Sequence, residues 1–279
     1  MDSLIPKDEQ QLFREAILRY SREIAFSAAE VYARAAESRG AWDARLEALV
    51  IDALMRNSTS EEILSQASAL NWSTEGPTLV MAGATPDTDA ETALSVMRRA
   101  SRNHNLDLLT GIHGAMMFAL LSGPGLDSDV TPRLITPYFG PGAVVVSDVV
   151  SGLSEIGAAA RSCASGVRAA ASWTAAPRPV HTAELLPERG ILGETDARQE
   201  LIDRVYLPLA TDPALLQTAV AYMDNSQSLE ATGRTLFVHP NTVRYRIKRI
   251  TDLTGYDITN SREAFAVRVA IIYGRTTAH

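Results

Sequence analysis

Apolar positions along this chain recur with a helical period at both ends and with a strand period only in the middle. From residue 8 to residue 38, Leu12, Ala16, Tyr20, Phe26 and Ala28 form an apolar stripe broken by Arg19 and Glu23, and Ser38-Arg39-Gly40 supplies a stop signal. A second helix is predicted from Trp42 to Met55, its face made by Leu46, Leu49, Val50, Ala53 and Leu54. A third spans Glu61 to Leu70, with Ser60 as its N-cap. The period then changes. Thr78–Gly83 reads as a short buried strand and Asp89–Ser101 as a helix. Asn105–His113 and Ala115–Leu121 read as two strands of a hairpin joined at Gly114. Asp127–Tyr138 is a weak helix interrupted by Pro132, Gly142–Ser147 a strand, and Leu153–Trp173 a long alanine-rich helix. The order β-α-β-β-α-β followed by a helix predicts a ferredoxin-like sheet with helices on one face.

From Thr195 onward the pattern is helical to the end. Leu201, Val205 and Leu207 point inward, and Pro208 with Thr211-Asp212-Pro213 makes a linker in which Asp212 or Thr211 caps the next helix. Leu215, Leu216, Ala219, Val220 and Met223 line that helix, and Arg262–Gly274 closes the chain with Phe265, Val267, Val269, Ile271 and Ile272. The expected class is therefore α+β. It has an N-terminal helical segment over 1–71, a central ferredoxin-like unit over 72–193 and an all-α unit over 194–279.

Residues 228–250 carry the most specific pattern. A short helix, Leu229–Leu236, leads into a tight connection, Phe237-Val238-His239, and Pro240 opens a second helix where its missing N–H does no harm. Val243, Ile247 and Ile250 make one buried stripe on that helix. Asn241, Tyr245 and Lys248 point away from the stripe, Thr242, Arg244 and Arg249 flank them, and Arg246 lies nearer the buried edge. The outward face thus offers amide, hydroxyl, aromatic and cationic groups. Asparagine pairs with adenine edges, and arginine pairs with guanine or phosphate. Between Pro240 and Tyr256 four cations face the single acid Asp252, in a chain whose net charge is −7. This is the pattern of a helix-turn-helix whose second helix enters DNA. The alternative for the same spacing is a solvated amphipathic helix with surface arginines.

Composition narrows the remaining choices. A length of 279 residues holds two ordinary domains, and 46% apolar with 21% charged residues is the balance of a globular protein. No apolar run has the length of a bilayer-spanning helix and the N-terminus lacks a signal-peptide pattern, so cytoplasmic residence is the default expectation, with no membrane partner. The single cysteine, Cys163, excludes an intramolecular disulfide and reads as buried filler in a helix. His104 and His113 lack a Cys/His/Asp constellation at ligand spacing and read as surface or turn histidines, so no metal or cofactor is expected. Gly123-Pro124-Gly125 and Gly140-Pro141-Gly142 are turns without the lysine or helix start of a phosphate loop. Residues 176–192 read as a rigid linker docked on the sheet. Their functional alternative is a small-molecule or partner contact through Arg178, His181 and Arg189.

The segment Phe237–Ile250, followed by Leu253-Thr254-Gly255-Tyr256-Asp257, closely resembles the C-terminal helix-turn-helix of the PucR/CdaR family of bacterial transcription regulators. Leu215–Asp224 before it and Ala264–Ala270 after it match as well. Gly233 stands where that family usually has alanine, implying either closer helix packing or a softer motif. The family's central region resembles a degenerate form of the nucleotide-cyclase fold named after its Gly-Gly-Asp-Glu-Phe hairpin. Here the hairpin reads Gly111-Ile112-His113-Gly114-Ala115 and lacks the acidic pair that two-metal phosphoryl chemistry needs, so neither cyclase activity nor a catalytic residue is expected. Shorter cues at Arg39–Leu49, Ala175–His181, Leu185–Arg189 and Ser228–Thr232 resemble an actinobacterial branch of the family that regulates fatty-acid synthase genes, including mycolic-acid synthesis. That resemblance implies activation of a fatty-acid synthase operon and a long-chain acyl-CoA effector; composition and periodicity show neither. Family members often carry more sequence upstream of the position of Met1, which implies a truncated or a short natural form.

The leading expectation is a dimeric, double-stranded-DNA-binding regulator. Two recognition helices enter successive major grooves about 34 Å apart. Asn241, Thr242 and Tyr245 read base edges, while Arg244, Arg246, Lys248 and Arg249 mainly hold phosphates. The N-terminal helices need a partner surface, and a palindromic operator needs a two-fold protein, so they are assigned to dimerisation. An effector pocket is expected between those helices and the sheet, with its residues unassigned. Three readings compete. One is a regulator of the same family serving a purine, sugar-acid or amino-acid operon with a different effector. Another is a ligand sensor whose DNA contact is secondary. The third is an enzyme or nucleotide-binding module on the sheet, which would need paired carboxylates, a glycine-rich phosphate loop or a nucleophile–base pair.

Overall fold

A single helix, α1, runs unbroken from Lys7 to Arg56. The computed structural model describes residues 7–58, 60–70, 72–73, 75–87 and 90–277; the side chains of Leu12 and Ala16 lie outside the described residues. The expected break at Ser38-Arg39-Gly40 does not occur. One glycine in a helix interior costs about 1 kcal/mol relative to alanine, and Ala35, Ala36, Glu37, Arg39 and Ala41 around Gly40 are strong helix formers. At about 1.5 Å per residue the helix is roughly 75 Å long. Its C-terminal turns bury Val50, Ile51, Ala53 and Leu54, whereas Leu49 is exposed. Further out, Ile17, Leu18, Tyr20, Ile24 and Phe26 expose between 48% and 69% of their surface. Helix α2 (Ser60–Ala69) starts at Ser60 itself, so the expected cap is the first helical residue instead.

The middle of the chain alternates as expected: β1 (Thr78–Ala84), α3 (Ala90–Asn103), β2 (Asp107–His113), β3 (Met116–Ser122), α4 (Val130–Ile135), β4 (Val144–Val150) and α5 (Leu153–Ala169). Pro132 sits in the first turn of α4, where no intrahelical N–H bond is lost, and does not interrupt it. Strand order is β2-β3-β1-β4-β5, where β5 is the short Val180–His181 strand. The first four strands pair antiparallel, and β5 joins β4 in parallel. A register shift between Leu79 and Met81 frees the Val80 N–H, which donates to Ser147 Oγ at 3.1 Å. The β2–β3 hairpin turns at Gly114, at φ +63°.

Helices cover both faces of this sheet, not one. Val80, Ala82, Leu109, Phe118, Leu120 and Val145 face α1, α2 and α5, and buried Cys163 belongs to this layer. Leu79, Met81, Met117, Ala119, Leu121, Val144 and Val146 face α3 and α4, where Met97 and Ile135 meet them. Runs of apolar residues without polar interruption, such as Leu79-Val80-Met81-Ala82, are what a strand buried on both sides requires. Gly111 lets α1 lie close on β2: a Cβ there would stand 3.3 Å from Ala48 Cα.

After β5 come a 3-10 turn (Thr182–Leu185) and α6 (Leu186–Ile191). The C-terminal unit follows with α7 (Thr195–Leu201), a π-helical turn over Ile202–Tyr206, α8 (Leu207–Ala210), α9 (Pro213–Asp224), α10 (Leu229–Leu236), α11 (Pro240–Thr254) and α12 (Ser261–Thr277). Two expectations fail here for one reason. Pro208 lies inside the helical run and not in a linker, because the widened turn, with Leu207 N–H bonded to Ile202 O, accommodates a residue that cannot make an ordinary helical bond. Leu207 consequently faces solvent, and the inward line runs through Leu201, Val205 and Leu209. Asp212 caps α9, accepting from the Ala214 N–H at 3.0 Å.

The 176–192 segment is structural in every position singled out for it. Arg178 donates to Gly140 O and Gly142 O, both at 2.8 Å. His181 and Glu184 form a capping box on the 3-10 turn. Arg189, only 4% exposed, donates to Glu194 Oε2 at 2.9 Å, to Thr182 O at 3.0 Å and to Ser162 Oγ at 2.7 Å, with a further short contact to Glu194 Oε1. Burial alone would raise the Glu194 pKa. Hydrogen bonds from Arg189, Ser165 and Ser162, with the Arg189 charge, outweigh it and hold the carboxyl below its ordinary value. A depressed folded-state pKa adds stability above the unfolded value and loses it as pH falls through the folded value. Urea unfolding should show Glu194→Gln costing about 3 kcal/mol at neutral pH. It should also show a shallower loss of stability than the parent as pH falls below the ordinary glutamate value of 4.5.

Candidate nucleic-acid interface

The helix-turn-helix is built by local caps at each end and one apolar seam between. Ser228 caps α10, its hydroxyl accepting from the Ala231 N–H at 3.3 Å. Phe237 then enters the left-handed region (φ +55°, ψ +41°) and ends the helix. The Val238 N–H bonds back to Gly233 O at 2.9 Å, which folds the turn onto α10. His239 caps α11, with Nδ1 accepting from the Asn241 N–H at 3.1 Å, and Pro240 takes the first helical position. Gly255 at φ +77° terminates α11, its N–H bonded to Thr251 O at 2.8 Å. Val243, Ile247 and Ile250 are buried, as their spacing requires, in the same core as Leu215, Ala219 and Tyr222 of α9 and Val267 and Ile271 of α12.

Burying that stripe decides what the other face shows. Asn241, Arg244, Tyr245, Lys248 and Arg249 are all exposed along α11, and Tyr245 shows 65% of its surface. Thr242 and Arg246 are half-buried at the margins. Arg244 Nη1 donates to Asn241 Oδ1 at 2.9 Å, leaving the Asn241 amide N–H groups free to point outward. Arg246 Nη1 donates to Thr218 Oγ1 at 3.2 Å, so part of its guanidinium ties α11 to α9. Two exposed neighbours were not singled out from sequence: Arg234 near the end of α10, and Phe237, which is 95% exposed. Phe237 sits inside an apolar run, Leu236-Phe237-Val238, and only the left-handed backbone turns it out. His113, at the hairpin of the sheet, stands with Nδ1 3.3 Å from Asp52 of α1, and His104 lies exposed in the turn after α3. Burial pushes the Cys163 thiol far above its usual range, which keeps it protonated and unreactive.

Gly233 is buried at the crossing of α10 with the turn. A Cβ there would come within 2.8 Å of Val238 O, a backbone atom that cannot swing aside. The glycine therefore marks close packing, not softness.

Two family models match separate stretches of the chain. Residues 215–272 match the PucR C-terminal helix-turn-helix domain, and residues 55–169 match the GGDEF-like domain. An uncharacterized protein of Mycobacterium tuberculosis is 42% identical over 284 aligned residues, covering 98% of this chain and 68% of that protein. The carbohydrate diacid regulator of Escherichia coli is 37% identical over 57 residues, 20% of this chain and 15% of the regulator. The crystal structure of a regulator of polyketide synthase expression from Bifidobacterium adolescentis superposes with a TM-score of 0.75 at 30% identity, over 84% of this chain and 94% of that one.

At Gly233 helix propensity and packing pull in opposite directions. Alanine there gains about 1 kcal/mol of helix propensity and loses about 1–3 kcal/mol to overpacking. Gly233→Ala should lower the melting temperature, and a raised one would show that the turn yields.

Proposed function

This chain belongs to the PucR/CdaR-type transcriptional regulators, and on that premise we propose that it reads operator DNA with the exposed face of α11. One observation carries the assignment of residues. The caps and the buried Val243–Ile247–Ile250 stripe leave Asn241, Arg244, Tyr245, Lys248 and Arg249 as one exposed, net-basic face on a chain that is otherwise acidic. In this reading Asn241, Thr242 and Tyr245 meet base edges, and Arg244, Lys248 and Arg249 hold phosphates. Arg246 reaches the backbone with the donors that Thr218 leaves free. The C-terminal unit over 194–279 is the DNA-binding module, and the central unit over 72–193 supports it.

The operator-bound form is a homodimer formed through the 1–71 segment. Ile17, Tyr20 and Ile24 are spaced by three and four residues on a helix that continues well beyond the sheet. That spacing is the seam of a two-helix pairing. Isolated helices in water are marginal without such a partner.

The targets we assign are genes of fatty-acid or related lipid synthesis, activated in response to a long-chain acyl-CoA. Support comes from the sequence resemblance at Arg39–Leu49, Ala175–His181, Leu185–Arg189 and Ser228–Thr232. The Bifidobacterium regulator adds to it, since polyketide and fatty-acid synthases both extend thioester-bound chains.

Fluorescence anisotropy with the promoter of a fatty-acid synthase operon, against a shuffled duplex of equal length, tests this directly. The promoter should bind at least tenfold tighter. Asn241→Ala should shrink that preference. Lys248→Ala should weaken both duplexes alike and make the salt slope shallower by about one unit per lost contact. Equal binding to both duplexes would keep the module and remove the target. A second expectation concerns assembly: the double variant Ile17→Asp/Ile24→Asp should sediment as a folded monomer with weakened promoter affinity, whereas a dimer unaffected by it would move the interface elsewhere.

A further inference from the structure

A cavity of about 750 Å³ opens between the C-terminal half of α1, the end of α2, α3 and the start of β2, at the opposite end of β2 from the Gly114 turn. Its volume lies within the range of small-molecule sites. Leu70, Leu106 and Leu109 give it an apolar wall. Deep in it, Glu47 is 7% exposed and forms a short ion pair with Arg98, so these two groups satisfy one another. Three other charged side chains in the lining, Arg102, Asp43 and Asp107, have no hydrogen bond or ion pair among the described residues. Trp72 also lines the cavity. It is 8% exposed, and its indole N–H is buried with no acceptor.

These groups specify a ligand. Arg102 calls for a carboxylate, Asp43 and Asp107 call for an ammonium, and the leucines with the Trp72 ring call for an apolar body between them. We propose that this cavity binds an apolar zwitterion of about dipeptide size. The thioester effector assigned above does not fit here, because the several phosphate charges of coenzyme A would meet one unpaired cation and two carboxylates. Since Asp43 and Glu47 belong to α1, an occupant would grip the same helix that carries the proposed dimer seam.

Calorimetric titration of the full chain with L-leucyl-L-leucine tests the site without DNA, so its failure leaves the operator reading untouched. The expected result is one saturable site with a Kd of about 0.1 mM or tighter. N-acetyl-leucyl-leucine, which lacks the ammonium, and leucyl-leucine amide, which lacks the carboxylate, should each bind at least tenfold more weakly. Arg102→Gln and Asp107→Asn, both at exposed positions, should each weaken the zwitterion by a similar factor. No saturable heat with any of the three peptides, or equal affinity for all three, overturns the proposal. So does binding that both charge variants leave unchanged.

Discussion

The placement of α11 relative to the rest of the molecule depends on a buried arginine and the short segment around it. Arg189 sits on α6 and reaches Ser162 on α5, Thr182 O and Glu194, so α6 cannot shift against the sheet unit without breaking charge-assisted bonds in a buried setting. The neighbouring residues fasten the other side. Leu185 is buried in the sheet core and Leu186 in the C-terminal core, one residue apart. Glu188 pairs with Arg262 of α12, and the Arg262 guanidinium lies 3.9 Å from the Trp173 ring centroid. What composition suggests is a proline-rich linker is a clasp shared by two cores.

Buried ion pairs contribute little net stability when both partners are present, because desolvation offsets their attraction, yet losing one partner is expensive. That asymmetry suits a clasp better than a core. It leaves the two units free to derive their own stability from apolar packing and penalises only departures from one relative orientation. The DNA-facing helix is thereby presented at a set angle to the sheet and, through Gly111 and the Ala48 backbone, to α1. The contacts run without a gap from α1 to the clasp: the helix lies on β2, the sheet on α5, and α5 on Arg189.

Much of the candidate interface was legible in the chain because its determinants are local. The cap at Ser228, the proline at the first position of α11, the terminating Gly255 and the stripe at Val243, Ile247 and Ile250 all act within a few residues of themselves, and the elements fall where the pattern puts them. The strands did too, since alternation and uninterrupted apolar runs reflect what each strand must bury. The same period identified Asn241, Tyr245 and Lys248 as outward, since burying one face of a helix exposes the opposite one.

Tertiary structure decided whatever depends on a neighbour distant in sequence. Uninterrupted apolar strands called for cover on both faces of the sheet, but which helices lie on which face was set by packing. Pro208 reads as a linker residue until a π-helical turn makes room for it, and Leu207 loses its inward place to Leu209 in consequence. Arg246 appears as one cation among four along the helix, and only the approach of α9 ties its Nη1 to Thr218. The cavity beside Trp72 is the extreme case, since its groups come from four separate elements. Sequence by itself determined the elements and the chemistry of their faces, because those are set by bonds and periods within a few residues. The clasp, the cavity and the angle at which α11 is held came from packing between distant residues, which no local pattern encodes.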